Sequence, residues 1–398
     1  MRLICGRGGS VCVALVLAGC SLPALPQGDQ RQAAFLLEQQ GKVAEAEAAW
    51  RALSQAHPSN SEPFAHLGLL EARQEHYAEA IQFYRKAMTL DPAMPRLRFN
   101  LGLAYFKDGE YKEALQQFNP LLKTEPPNSD EARRLTVLVG MSHFGLGEYA
   151  AAAPYLKQAA DADSTNLPLL LTLAHSCLLS QQYPCVLDAF HRIIALNPDS
   201  AEAHVLAGEA LDEMKEPVGA IRELRAAVAA NPKEPSVHFA LGYLLWTQGQ
   251  TQEAAQQFQA ELNNDPEHAQ ALLYLADAQI QLNRLEDARP LLEKVVKLNP
   301  ASAMAHLDLG IVYTESGRNA EALRELKQAA ALKPDDVNAH YRLGRLYRVL
   351  GKTAEAKVEF DKSKSLNKSA DDALIKVMSN VPHPDSAAHG PAPAPGVK

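Results

Sequence analysis

The sequence has few aromatic residues and few runs of β-branched residues. Aromatics make up 6% of the 398 residues and there are two tryptophans, while alanine, leucine, glutamate, glutamine and lysine dominate. The dominant residue types favour helices, and the scarce ones are those that favour strands. This composition argues against a mixed sheet protein and predicts an all-α chain.

Motifs that carry catalysis are also lacking. There is no HExxH zinc-protease motif, no nucleophile elbow and no paired CxxC. Gly351-Lys352-Thr353 is similar to the end of a phosphate-binding loop, but Leu346 stands where that loop needs glycine. We therefore predict no enzyme activity, no cofactor and no small-molecule substrate.

Positive charge is not in excess. The formal net charge is -8, which is opposite in sign to a surface that tracks phosphates, so nucleic acid is not expected as a partner.

The first twenty residues differ from the rest. Positive charge in Met1 to Arg7 is followed by a short apolar run, Val11 to Ala18, which is the layout of a secretory signal peptide. The run ends in Leu17-Ala18-Gly19-Cys20, which resembles the lipobox of bacterial lipoproteins. The resemblance implies a signal peptide over 1–19, a lipidated Cys20 and a tether over 20–26. The alternative is a plain signal peptide that happens to contain a cysteine.

In such lipoproteins, a serine rather than an aspartate after the cysteine implies sorting to the outer membrane, and Ser21 stands there. More than one acyl chain gives a stable anchor. The expected location is the bacterial envelope, lipid-anchored, at the outer membrane and facing the periplasm.

Prolines recur at a fixed interval along the remaining chain. An interval of 34 residues separates Pro58, Pro92 and Pro126, and the same interval separates Pro198, Pro232, Pro266, Pro300 and Pro334. The gap between Pro126 and Pro198 is 72 residues, four more than two such intervals, which indicates an insertion at 129–132. Because proline disfavours helix in the preceding residue, these positions predict boundaries between helical hairpins.

Three other columns keep the same register. Alanine recurs twelve residues before every boundary except Pro198, where Val186 replaces it; a large apolar residue recurs eight before each boundary, and glycine or alanine recurs twenty-four before it. Trp50 and Phe118 belong to the large column, and Gly102 and Gly310 belong to the small one. Small residues are predicted where helices cross, and large ones where gaps are filled.

This pattern resembles the tetratricopeptide repeat, a 34-residue helix-turn-helix unit. The resemblance implies a right-handed superhelical solenoid of ten such repeats with a C-terminal capping helix. It places repeats 1–3 at 27–128, the insertion at 129–132, repeats 4–10 at 133–370, the capping helix at 371–380 and a disordered Pro/Ala-rich tail at 381–398.

In tetratricopeptide arrays the first helices line a concave groove that binds protein segments, and the resemblance carries its positions to particular residues here. The predicted groove is apolar at its N-terminal end, acidic with aromatics in the middle and basic in the tenth repeat. Its residues are Leu69, Leu103, Phe106, Met141, Phe144, Leu178, Glu209, Asp212, Tyr243, Trp246, Asp277, Asp308, Arg342, Arg345 and Arg348. The alternative for the charged members is an ordinary solvated surface.

Two further groups of residues are candidates for a metal site and a disulfide. His204, His238, His306 and His340 share one column, but residues in successive repeats are too far apart to meet at one metal ion, so no metal site is predicted. Cys177 and Cys185 lie in one repeat, where a disulfide is one interpretation and two small buried hydrophobic side chains are the other.

The sequence thus predicts a non-catalytic, membrane-anchored envelope lipoprotein that organises a multiprotein assembly. The alternative is a peptide-binding chaperone or adaptor for exported client proteins. Partners are expected to be proteins or peptide segments.

Overall fold

The computed structural model describes residues 27 to 379, and side-chain surroundings from 30 to 368. Within this range the chain forms twenty helices and no strand. The predicted signal peptide, Cys20, the tether and the tail at 381–398 lie outside the described residues.

The helices in chain order are α1 Gln27–Gln39, α2 Val43–Ala56, α3 Ser61–Arg73, α4 Tyr77–Leu90, α5 Leu97–Lys107, α6 Tyr111–Thr124, α7 Asp130–Gly145, α8 Tyr149–Ala162, α9 Leu167–Leu179, α10 Tyr183–Leu196, α11 Ala201–Glu213, α12 Pro217–Ala230, α13 Val237–Thr247, α14 Thr251–Asn264, α15 Ala269–Gln281, α16 Leu285–Leu298, α17 Ala303–Glu315, α18 Asn319–Leu332, α19 Val337–Val349 and α20 Thr353–Ser379.

Consecutive helices pair into ten hairpins, each with an odd-numbered first helix and an even-numbered second helix. The hairpins belong to two compact units that divide between Asp163 and Ser164, with α1 to α8 in the first unit and α9 to α20 in the second. Inside each unit a second helix packs on the first helix of the next hairpin. The predicted all-α tetratricopeptide architecture is confirmed.

The small and large columns meet inside each hairpin. A Cβ added at Gly102 would lie 2.6 Å from the ring of Phe118, and one added at Gly310 would lie 2.6 Å from Leu326. The large residue is sixteen positions after the glycine in both cases, and Phe118 is fully buried. The missing side chain on the first helix therefore makes room for the large side chain on the second, as the sequence predicts.

The turn inside each hairpin needs a left-handed backbone, whichever residue stands there. Gly147 has φ +74° and Lys215, at the equivalent place, has φ 64°. The left-handed residues of this column are Gly41, Glu75, Gly109, Gly147, Gln181, Lys215, Gly249, Asn283, Gly317 and Gly351. A non-glycine residue here costs about 1 to 2 kcal/mol, so the packing of the hairpin must offset that cost.

The insertion before the fourth repeat lengthens a helix. α7 has 16 residues, whereas most other first helices have 13. Ser129 is the N-cap of α7, and its side chain accepts a hydrogen bond of 3.0 Å from the backbone N–H of Ala132. The additional residues 129–132 therefore form the cap and first turn of this helix.

The C-terminal end differs from the prediction of a separate capping helix at 371–380. α20 continues without a break from Thr353 to Ser379. No glycine or proline occurs between Asp361 and Asn380, so nothing in the sequence ends the helix earlier. The second helix of the tenth repeat thus extends through most of the segment predicted as a cap.

Candidate functional site

The histidine column holds hairpins together. The Nδ1 atom of His306 lies 2.7 Å from a carboxylate oxygen of Glu325, and its Nε2 atom lies 3.0 Å from the carbonyl oxygen of Pro300. His340 makes the equivalent contacts with Glu359, at 2.6 Å, and with Pro334, at 2.9 Å. These rings link a first helix to its second helix and to the preceding turn.

No group of histidine, cysteine, aspartate and glutamate residues in the described chain is arranged to hold a metal ion. None of its helices has the length and apolar character needed to cross a bilayer.

Cys177 and Cys185 join the two helices of the fifth repeat. Their sulfur atoms are bonded, and their Cα atoms are 5.8 Å apart. Cys177 is fully buried at the end of α9, and Cys185 is half-buried at the start of α10. The bond therefore lies inside the hairpin, away from its exposed surface.

The predicted apolar positions of the first unit are half-buried. They are Leu69, Leu103, Phe106, Met141 and Phe144. The ring of Phe106 packs edge-on to Tyr111 at 5.6 Å, and Phe144 packs in the same way on Tyr149 at 5.4 Å. Part of each aromatic surface is thus used inside its own hairpin.

Leu178, the sixth predicted apolar position, belongs to the second unit and is half-buried on α9.

The second unit contains a cavity of about 260 Å³ lined mainly by two consecutive first helices, α11 and α13. Glu209 and Asp212 line it from α11, and Phe239 and Tyr243 line it from α13. Residues three or four apart share one face of a helix, so each pair forms a stripe along its helix. We name this feature the acid-aromatic cavity.

Within the described residues, the acids of the cavity make no direct ion pair. Glu209 is exposed and Asp212 half-buried, and neither side chain has an ion pair or hydrogen bond in the described part of the chain. Partial burial raises the pKa of the Glu209 carboxyl, and the nearby His175 opposes this effect. The wall formed by α11 is therefore an acidic surface whose two carboxylates have no direct partner among the described residues, with His175 as the nearby basic group.

Aromatic rings continue from the cavity toward α15. The ring of Tyr274 lies 5.3 Å from that of Tyr243 and 5.1 Å from that of Trp246, nearly perpendicular to both. The indole N–H of Trp246 donates to a carboxylate oxygen of Asp277 at 2.6 Å, and the Gln281 amide donates to the same oxygen at 2.7 Å. These contacts hold the Trp246 ring in place.

Phe239 and Tyr274 are site residues that the sequence reasoning did not select. They occupy the fifth and sixth positions of the frames that begin at 235 and 269, so the register used for the other groove residues would have found them.

Asp308 is not at the surface, although the sequence predicts a groove position for it. It is 7% exposed, and its Oδ2 atom has no hydrogen-bond partner. Burial, helped by the charge of Asp277, raises the pKa of Asp308 to about 7, and the Arg342 guanidinium opposes this effect. The Nε atom of Arg342 is also buried without a partner. These two atoms are buried, whereas the Arg342 side chain as a whole is half-buried.

The remaining arginines of the tenth repeat are exposed. Arg345, together with Arg342, lines a small cavity of about 40 Å³ against α17. The Arg348 guanidinium lies 5.9 Å from the centre of the Phe360 ring. Arg345 and Arg348 are therefore the exposed basic residues on the first helix of this repeat.

Sequence profiles described as tetratricopeptide repeats match more than half of the chain. They match residues 32–95, 187–235, 239–303 and 275–323, then 71–136, 310–351 and 337–369.

Among curated proteins, the chain is 26% identical over 180 residues to a protein named BBSome complex member BBS4 from Bos taurus, with 38% of this chain and 35% of that protein covered. It is 25% identical over 174 residues to a peroxisomal targeting signal receptor from Yarrowia lipolytica, with 42% of this chain and 28% of that protein covered. The chain therefore spans about a third of the length of these relatives.

Several solved structures match part of this chain. MamA from Desulfovibrio magneticus RS-1, from residue 41 to its end, is 24% identical with a TM-score of 0.40, covering 42% of this chain and 96% of that one. YrrB, described as a TPR protein with an unusual peptide-binding site, is 20% identical with a TM-score of 0.41, covering 48% and 98%. With ten matching hairpins and these profile matches, the chain belongs to the tetratricopeptide repeat family.

Proposed function

We propose that this chain is a lipid-anchored lipoprotein of the bacterial envelope and that it organises a multiprotein assembly without catalysing a reaction. Tetratricopeptide proteins are in general scaffolds for protein interaction, which supports the binding role. The lipid anchor and the envelope location are supported by the signal-like segment that ends at Cys20. Its location is the outer membrane, facing the periplasm.

The observation that carries the binding role is the surface made by the first helices of the second unit. It combines the acid-aromatic cavity on α11 and α13 with the exposed arginines on α19. Unpaired acids, accessible aromatic rings and free guanidinium groups within one unit are the chemistry of a protein-binding surface.

The anchor is tested by fractionating cells that produce the wild type or Cys20→Ser. The wild type is expected in the outer-membrane fraction, and mass spectrometry should find acyl chains on Cys20. The Cys20→Ser protein is expected to lose the acylated N-terminus and the membrane association. A wild-type protein that stays in the cytoplasm would refute the proposal.

The scaffold role is tested by crosslinking and pull-down from solubilised envelopes. Reversal of Arg345 and Arg348 to glutamate should reduce capture of an envelope partner. Reversal of Lys357 and Lys364, which are exposed on the second helix of the same repeat, is the matched control. Equal capture by the wild type and both variants would contradict the part of the proposal that has Arg345 and Arg348 bind the partner.

A second function, a peptide-binding chaperone or adaptor for exported clients, is supported by the half-buried apolar positions of the first unit and by the relative named as a targeting signal receptor. A chaperone should bind many unrelated apolar sequences on a peptide array weakly. A scaffold should bind few or none of them and capture a defined partner instead.

A further inference from the structure

The acid-aromatic cavity has two walls of complementary chemistry. Glu209 and Asp212 supply carboxylates without a direct ion pair on one wall, and Phe239 and Tyr243 supply ring faces on the other. Tyr243 is 38% exposed, so its ring can be reached from solvent. A group that satisfies both walls must carry positive charge, and a flat cation can in addition stack on the rings.

The size of the cavity limits the ligand. Small-molecule pockets occupy about 300–1,000 Å³, and this cavity, at about 260 Å³, is below that range. It therefore suits one long side chain better than a whole small molecule.

We propose that the acid-aromatic cavity binds an arginine side chain from a segment of a partner protein. This inference rests on the proposed function, in which the first helices of the second unit hold protein segments. A guanidinium group is planar, stacks on aromatic faces and pairs with carboxylates through two parallel N–H bonds. A lysine ammonium group has the charge but cannot stack in the same way.

The C-terminal segment of this chain is not the source of the arginine. The last eighteen residues of this chain, 381–398, contain one lysine and no arginine, so the tail does not supply the group. The adjoining Trp246, fixed by Asp277, extends the aromatic surface on which the residues next to the arginine would lie.

The test is a titration of the full chain with a fluorescein-labelled hexapeptide that has one central arginine in an alanine-glycine background. Matched peptides contain lysine or citrulline, which keeps the shape of arginine without its charge. We expect the arginine peptide to bind at least about tenfold more tightly than the citrulline peptide, and the lysine peptide to be intermediate. Equal binding of the arginine and citrulline peptides would overturn the proposal.

Variants place the binding in the cavity. Glu209→Gln with Asp212→Asn should weaken arginine-peptide binding at least about tenfold. Glu213→Gln removes an exposed acid from the same helix outside the cavity and should change binding less than about twofold. Undiminished binding by the double variant would refute the site, and circular dichroism should show that both variants remain helical.

The aromatic wall has its own control pair. Tyr243→Leu should weaken the arginine peptide several-fold and reduce the advantage of arginine over lysine. Tyr341→Leu, a change at an exposed tyrosine on α19, should leave both unchanged. An equal effect of the two substitutions would contradict stacking on Tyr243.

Failure of this inference is distinguishable from failure of the proposed function. If the wild type and the Glu209→Gln, Asp212→Asn variant capture an envelope partner equally, the cavity inference is refuted while the scaffold role stands. If the wild type captures no partner but the arginine peptide binds with the expected pattern of variants, the inference stands and the scaffold role is refuted.

Discussion

Replacing Asp308 by asparagine should make the second unit more stable at alkaline pH. The carboxyl is 7% exposed, and its pKa is about 7 in the folded chain instead of the ordinary 3.8. The folded state therefore disfavours the ionised form, and the wild type should lose stability as the pH rises from about 4 to about 7. At 1.36 kcal/mol per pH unit, the difference between the two pKa values corresponds to about 4 kcal/mol above pH 8.

Asparagine has nearly the same size and does not ionise. Its advantage over the wild type should grow by about 2 to 3 kcal/mol between pH 5 and pH 8. Urea unfolding followed by helical circular dichroism, fitted with a nearest-neighbour description of the repeats, measures this change. Asp335→Asn, which removes an exposed carboxylate from the turn between α18 and α19, is the control. If Asp308→Asn and the wild type show the same pH dependence, the burial argument is refuted.

Three further predictions concern packing and pairing. Gly310→Ala should lower the free energy of unfolding by about 1 to 3 kcal/mol, because the new Cβ would lie 2.6 Å from a leucine. Gly219→Ala, whose new Cβ would lie 3.4 Å from its nearest neighbour, should leave the free energy of unfolding unchanged or raise it. Urea unfolding measures both changes. His306→Gln and Glu325→Gln should each lower the free energy of unfolding by about 1 to 3 kcal/mol, and the double variant should lose less than the sum of the two single losses. Additive losses in this double-mutant cycle would contradict the pairing. Cys185→Ala should lower the free energy of unfolding by about 2 to 3 kcal/mol. If mass spectrometry of the unreduced wild type showed that both Cys177 and Cys185 are alkylated, the disulfide would be contradicted.

The repeating part of the fold could be predicted from the sequence because every hairpin packs a small residue of its first helix against a large residue of its second helix. Gly310 and its leucine partner recur in register, so their spacing alone indicates the contact. The partner of His306 could be identified in the same way, because the pair recurs at a fixed spacing: Glu325 follows His306 by nineteen residues, and Glu359 follows His340 by the same number. The uninterrupted α20 could also have been predicted from the lack of glycine and proline after Asp361.

The exposure of each site residue could not be read from the repeat register. Asp212 and Asp308 stand at groove positions of their first helices, yet one is half-buried beside a cavity and the other is closed in. Exposure depends on side chains from the neighbouring hairpins, which vary between repeats while the backbone does not. Arg342, from the repeat after Asp308, is one such side chain.

This difference between the carboxylates decides which of them can contribute to binding. Burial already disfavours the charge of Asp308, and its Oδ2 atom is closed to a ligand, so its removal should act through stability. Glu209 and Asp212 keep open carboxylates beside a cavity, so their removal should act through affinity. A substitution at Asp308 that changed peptide affinity without changing unfolding would therefore contradict the arrangement of this face, even if the cavity itself bound arginine as proposed.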